Sequence, residues 1–202
     1  SFSIFIPVYN DARWIRGAID SVLVQDHADW ELVVGDNVST DDTADIVASY
    51  RDPRIRYHRW ETHVPIDENF NRTASLTRNA WVQLLCADDR LHPGCLSRLA
   101  AEIESYPPGA ERLAMALTAS RRVDERGNSA DHVWYGTRKR FRVASGTYDA
   151  PAWFAIHLND GNPPWNVGSV AIARWPIEES GGFFRPEVGL SCDVELSLRA
   201  AA

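Results

Sequence analysis

The sequence has no extended run of Lys and Arg (the longest is Arg138–Arg140), no apolar run approaching a membrane-spanning length, and no cysteine spacing of the zinc-binding kind. The first absence, together with a formal net charge of -7, argues against nucleic acid as a main partner. The second leaves no transmembrane segment to expect in this chain, and no signal peptide is visible. The 3 cysteines, Cys86, Cys95 and Cys192, are odd in number and scattered. They suit free thiols in a reducing compartment, so the cytoplasm is the expected location. No internal repeat or low-complexity segment stands out.

What is present is the composition of a globular protein: 202 residues, 45% hydrophobic and 24% charged. That length predicts a single domain over 1–202 with its own core. An acidic balance does not exclude a nucleotide ligand, because a bound metal neutralises phosphate locally. The chain begins inside a strand pattern at Ser1–Ile4 and ends inside a helical one at Arg199–Ala202, which reads as truncation, above all at the C-terminus.

Phe2–Pro7 reads as the first strand, ended by a proline that cannot donate to a ladder. Asn10 or Asp11 would cap a helix running to about Val24. Trp30–Gly35 is a second strand ending at Asp36. Ser39–Asp42 resembles a capping signal for a helix from Thr43 to Tyr50. Ile55–Trp60 alternates as a third strand, and Ile66 to about Thr77 reads as a helix. The next apolar run, Trp81–Ala87, ends in the adjacent carboxylates Asp88 and Asp89. Strand alternating with helix predicts a mostly parallel sheet flanked by helices. The later chain is less regular: a helix from Pro93 to Tyr106, strands at Leu113–Ser120 and Val167–Ala173, a helix from Asp149 to about Leu158, a Gly181–Gly182 turn and a last helix from Asp193.

A parallel sheet binds its ligands beyond the carboxyl ends of its strands. Asp88 and Asp89 therefore stand at a predicted crevice. Two like charges there need a cation or hydrogen bonds to offset their repulsion, which suggests a divalent-metal and diphosphate site; a solvated Asp-Asp turn is the plain alternative.

The ordered segments Ile6–Asn10, Glu31–Thr43 and Cys86–Asp89 resemble the serial motifs of family 2 glycosyltransferases. Ser21 with Gln25, Asn166–Arg174, Gly181–Phe183 and Asp193–Arg199 extend the likeness along nearly the whole chain. The resemblance implies the GT-A fold: a Rossmann-like nucleotide-sugar-binding half, 1–92, and an acceptor-binding half, 93–202. It implies inverting transfer of a sugar from a nucleotide-sugar donor, a UDP-sugar first, to a hydroxyl of a saccharide or glycoconjugate. It also implies a divalent cation, Mn²⁺ or Mg²⁺, and allows peripheral association with the inner face of a membrane.

The same likeness suggests roles residue by residue. Pro7, Tyr9 and Asp11 would line the nucleobase pocket, with Tyr9 as a stacking platform or an ordinary loop tyrosine, and Asp11 as a ligand or only a cap. Asp36 would accept a base N–H, or cap a helix. Asn71 and Arg72 would face the base or a phosphate, or lie on a solvated helix face. Asp88 would contact the ribose and Asp89 would bind the metal. Cys86 replaces the usual first acid and reads as a buried thiol rather than a ligand. Asp193 matches the general base, at a helix N-terminus that favours the ionised form; a capping Asp is the alternative. Glu195 pairs with Arg199 at i,i+4 spacing or contacts the acceptor. Trp165 would cover a sugar face or serve the core. A catalytically silent nucleotide-binding module of the same fold is the rival reading. A nucleotidyltransferase would carry a Gly-rich basic loop after the first strand, and Ile6–Asn10 has none.

Overall fold

The computed structural model describes residues 1–107, 113–118, 123, 124, 126, 128, 170–179 and 181–184. Eleven elements follow one another in these residues: β1 Phe2–Val8, α1 Ile15–Leu23, β2 Trp30–Asp36, α2 Thr43–Ala48, β3 Ile55–Arg59, α3 Ile66–Ser75, β4 Trp81–Leu84, α4 Cys95–Ser105, β5 Met115–Leu117, β6 Val170–Ala173 and α5 Arg174–Glu179. The six strands form one sheet in the order β3-β2-β1-β4-β6-β5. The first four are mutually parallel, as the alternation predicts. β6 runs antiparallel to both β4 and β5.

β1 is buried along its whole length because both faces of the sheet are covered. Ile4, Ile6 and Val8 pack with Ile15, Ile19, Leu32, Val34 and Leu96 on the face of α1, α2 and α4. Phe5, with Val33, Leu84, Ile172, Phe183 and Phe184, packs on the face of α3. The period of two along a strand puts these two sets on opposite sides, so a continuous apolar run serves two cores at once.

Several predicted boundaries move. β1 continues through Pro7 to Val8 instead of stopping at the proline. The carbonyl of Phe5 accepts from Leu85 N–H, so Phe5 faces β4. Pro7, two residues on, faces the same side, where β4 has already ended, and its missing N–H removes no ladder bond. β4 itself is shorter than its apolar run. It ends at Leu84, and Ala87–Asp88 form a turn closed by Asp89 N–H donating to Cys86 O at 3.0 Å. α1 starts at Ile15, its entry held by Asp11 O accepting from the Trp14 and Ile15 amides, with no side-chain cap. α4 starts at Cys95 rather than Pro93, after Gly94 in the left-handed region at φ 78. The turn at Gly181–Gly182 is present, both residues at positive φ. The helix predicted from Asp149, Trp165, Cys192 and the helix from Asp193 lie outside the described residues.

Candidate active site

β1 lies between β2 and β4, and the chain turns back across it: β2 and β3 build out one way, β4 the other. The loops after β1 and β4 therefore separate at their carboxyl ends, which is where an open parallel sheet forms its ligand crevice. The site is built from three loops that follow β1, β2 and β4.

The first two loops are stitched to each other. Asn10, at φ 55, accepts from Thr40 N–H through its side chain at 2.7 Å, and its own amide donates to Ser39 Oγ at 3.0 Å. Asp11 N–H donates to Thr43 Oγ1, and Ala12 N–H to Asp41 Oδ2. The other oxygen of Asp41 takes the amide and hydroxyl of Thr43. The predicted capping signal does not form a cap: Asp42 stands at the N-cap of α2 with no side-chain cap bond, Asp41 holds Thr43 instead, and Ser39 is drawn away to the β1 loop. Val38 holds a β-branched side chain at φ 67, a strained backbone that this stitching maintains.

Asp36 is wholly buried at the end of β2. One oxygen accepts from Ser39 N–H at 2.7 Å; the other takes Tyr57 OH at 2.6 Å and Arg59 Nη1 at 3.1 Å. Three of about four acceptor positions are therefore filled by the protein. Burial, and then the Asp36 carboxylate, push the Tyr57 hydroxyl up to about 12.

Tyr9 is 46% exposed at the mouth of the crevice, its ring against His63 at 4.5 Å between centroids. His63 is itself fixed by Nδ1 on Asn37 O. Pro7 is buried in the strand behind it. Arg72, on α3, bonds Asn37 Oδ1 and Thr62 O and lies over the Trp60 ring at 4.4 Å. Burial lowers its guanidinium below the usual range. Asn71 points elsewhere: its amide donates to Phe184 O at 2.8 Å and accepts from Phe184 N–H at 2.7 Å. Both α3 residues are thus engaged with the protein rather than set on a solvated face.

The β4 loop brings the acids together. Cys86, Asp88 and Asp89 each offer one ligand atom, all within 4.8 Å of one another. Asp88 is exposed, and Cys86 and Asp89 are half-buried. Burial, then Asp89, Asp88 and Asp11, push the Cys86 thiol up to about 12, so it is neutral near pH 7. The donor set is two carboxylates beside a neutral thiol, which suits a hard cation that keeps its remaining positions for water or phosphate oxygens. Asp11 completes the acidic field from the β1 loop: its carboxyl is raised by burial, then by Asp88 and Asp41. Asp193 lies outside the described residues.

The family model described as Glycosyl transferase family 2 matches residues 3–151. The chain belongs to glycosyl transferase family 2. It is 31% identical over 203 residues, covering 98% of its length, to the uncharacterised protein MT1568 of Mycobacterium tuberculosis, of which it spans 60%. It is 37% identical over 111 residues to a PGL/p-HBAD biosynthesis glycosyltransferase of Mycobacterium bovis, covering 53% of this chain and 43% of that one. Among solved structures, TarS 1-349 of S. aureus in complex with UDP-GlcNAc superposes with a TM-score of 0.76 at 20% identity, over 100% of this chain and 53% of that chain. The mannosyltransferase PcManGT of Pyrobaculum calidifontis, in complex with GDP-Man and Mn²⁺, gives 0.65 at 16% identity, over 95% and 49%. The fold of this family 2 member is GT-A, and the chain spans about half the length of these proteins. No helix among the described residues is long and apolar enough to cross a membrane.

Most of these residues stand out in the sequence, but what holds them does not. Asn37 has no mark there beyond its place in the Glu31–Thr43 segment, although its side-chain amide donates to Val64 O and accepts from Val64 N–H and Arg72. Trp60 and His63 are likewise unmarked as site residues. Their signal, aromatic residues just past β3, is too common to have marked them out.

Proposed function

We propose that this chain is the donor-binding and catalytic part of a metal-dependent inverting glycosyltransferase. It takes a nucleotide sugar, a UDP-sugar first, and transfers the sugar to a hydroxyl of a saccharide or glycoconjugate. The observation that carries this reading is the convergence of Asp11, Asp88 and Asp89 where the β1 and β4 loops part. Asp11 feels Asp88 and Asp41, and Asp88 lies beside Asp89, so the loops form a negative well that a cation with a diphosphate relieves. TarS with UDP-GlcNAc and PcManGT with GDP-Man and Mn²⁺ support the donor class and the need for a cation.

In this reading Asp89 holds the metal and Asp88 meets the ribose. A divalent cation bound there would neutralise charge on the departing nucleoside diphosphate. Tyr9, exposed and backed by His63, stacks on the base. Pro7 and Asp11 form the inner wall. Asp36 fixes the floor of the base pocket, leaving one acceptor position for a base N–H. Arg72 on Trp60 frames the pocket's outer side, and Asn71 braces α3. Asp193 takes the acceptor proton as the hydroxyl attacks the anomeric carbon opposite the leaving group. Residues 1–92 would bind the donor and 93–202 the acceptor. The free thiols Cys86 and Cys95 suit a cytoplasmic setting, at the inner membrane face when the acceptor is membrane-bound.

The test is thermal. UDP with Mn²⁺ is expected to raise the melting temperature, and Asp89→Ala to abolish the rise. No rise with any nucleoside diphosphate overturns the reading. Binding without hydrolysis or transfer by the full-length protein would instead make it a silent nucleotide-binding module.

A further inference from the structure

Two buried polar residues on α1 and just past its end play no part in the site described above, yet they grip the acidic loop. Ser21 is 7% exposed and Gln25 8%. Four residues apart, they lie on one side of the helix. Ser21 Oγ donates to Ala18 O at 2.7 Å and accepts from Leu91 N–H at 3.0 Å. Gln25 Nε2 donates to Ser21 O at 2.9 Å and to His92 O at 3.1 Å, while its Oε1 accepts from Leu96 N–H at 3.1 Å. The loop from Leu85 to Gly94 has no ladder of its own. It is fixed at one end by Leu85 N–H on Phe5 O and at the other by Ser21 and Gln25. Asp88 and Asp89 lie on the span between these two anchors.

We infer that Ser21 and Gln25 are positioning residues for the acidic loop: they set where the Asp88 and Asp89 carboxylates stand, and so how tightly the loop holds a divalent cation with a nucleoside diphosphate. The inference rests on the reading of Asp88 and Asp89 given above. The Leu91 and Leu96 amides rest on the clamp, whereas His92 O keeps a second donor in Cys95 N–H at 3.0 Å. Losing either side chain leaves a buried amide unpaired, and the loop relaxes by moving. Because the clamp holds the loop's backbone and not the carboxylates, its loss weakens the cation site without removing a ligand. Side chains that orient ligands in this indirect way change metal affinity about tenfold or more when removed.

The experiment titrates Mn²⁺ in the presence of saturating UDP by calorimetry, well below the melting temperature. The full-length protein is compared as wild type, Ser21→Ala, Ser21→Thr, Gln25→Leu and Asp89→Ala. A second measurement follows hydrogen exchange of the Leu91 and Leu96 amides in metal-free protein. The expected result is about a tenfold rise in the Mn²⁺ needed for half-saturation in Ser21→Ala and Gln25→Leu, with recovery in Ser21→Thr. Faster exchange at Leu91 should accompany it in the first variant and at Leu96 in the second. Glu31→Gln, at the amino end of the sheet and away from the loops of the site, controls for lost stability and should leave the Mn²⁺ requirement unchanged. Unchanged Mn²⁺ affinity in both clamp variants, with binding lost in Asp89→Ala, overturns the positioning role alone. Binding that is indifferent to Mn²⁺ in the wild type and to Asp89→Ala overturns both readings. A Mn²⁺ requirement raised equally by Glu31→Gln reduces the clamp to a general stabilising role and also overturns it.

Discussion

Gly35 shows how a single missing atom sets the spacing between a helix and the sheet. A Cβ on Gly35 would stand 2.0 Å from Thr73 Oγ1, 2.6 Å from its Cγ2 and 2.8 Å from its Cβ. Thr73 is fully buried, its hydroxyl bonded to Asn69 O, so it cannot swing aside. α3 would have to lift from β2. Gly35→Ala is therefore expected to cost about 1–3 kcal/mol, as overpacking of a full core does. Thr73→Ala removes the two nearer of the three outer atoms, so the double variant should recover part of the loss, a coupling that a denaturation cycle over the four proteins measures. Equal losses with and without Thr73 would exclude this contact as the cause. The sequence made Gly35 visible only as a strand end before Asp36. Its reason lies in a residue on another element, and no local pattern announces it.

At the scale of elements, α3 joins parts of the fold that lie far apart in sequence. Asn71 grips both backbone groups of Phe184 across 113 residues, and Phe184 with Phe183 fills the core on that face against Phe5 and Phe70. Asn71→Ala leaves a buried N–H and C=O without this partner. The expected cost is about 2 kcal/mol, with faster limited proteolysis near 181–184; an unchanged denaturation midpoint would refute the clasp. Here the legible and the hidden part company. The alternation of strands and helices, the parallel half-sheet and the Gly181–Gly182 turn all follow from short-range pattern, because periodicity and turn chemistry are local. The antiparallel pairing of β6 with β4 and β5 was not legible, since those strands are short and their partners distant. Asn71 was foreseen as a residue of interest, yet facing a nucleotide. A polar side chain on a helix reads alike whether it points at a ligand or at another backbone. Pro7 misled for the opposite reason: a local rule about ladders holds only where a neighbouring strand is present to be paired.

Across the whole molecule, carboxylates are treated differently at the two ends of the sheet. At the amino end Glu31 accepts from Ser3 OH at 2.6 Å, from Arg78 N–H at 2.6 Å and from Arg56 at 2.8 Å, joining β1, β2, β3 and the turn before β4. Burial alone would raise its carboxyl, but these donors outweigh burial and hold it below its ordinary value. At the carboxyl end Asp11 meets burial, Asp88 and Asp41, and its carboxyl is raised. The two shifts act on stability with opposite sign. A lowered carboxyl binds its proton more weakly in the folded chain. Glu31 therefore contributes stability that is complete above the ordinary carboxylate range and is lost as pH falls through the depressed folded value. A raised carboxyl binds its proton more strongly in the folded chain, so ionised Asp11 opposes folding at neutral pH, and that opposition fades on acidification. Glu31→Gln should then lower the denaturation midpoint at pH 7, whereas Asp11→Asn should raise it, and both differences should shrink toward acid pH. Chemical denaturation of the three proteins from neutral to acid pH checks this, and a fall at pH 7 in both variants would show that Asp11 is compensated like Glu31. The contrast explains why the crevice lies where it does. The sheet spends the charge of Glu31 on binding its own strands at one end; at the other, Asp11 is raised by burial and by Asp88 and Asp41, and stability is given up to the proposed site that a cation and a diphosphate would complete.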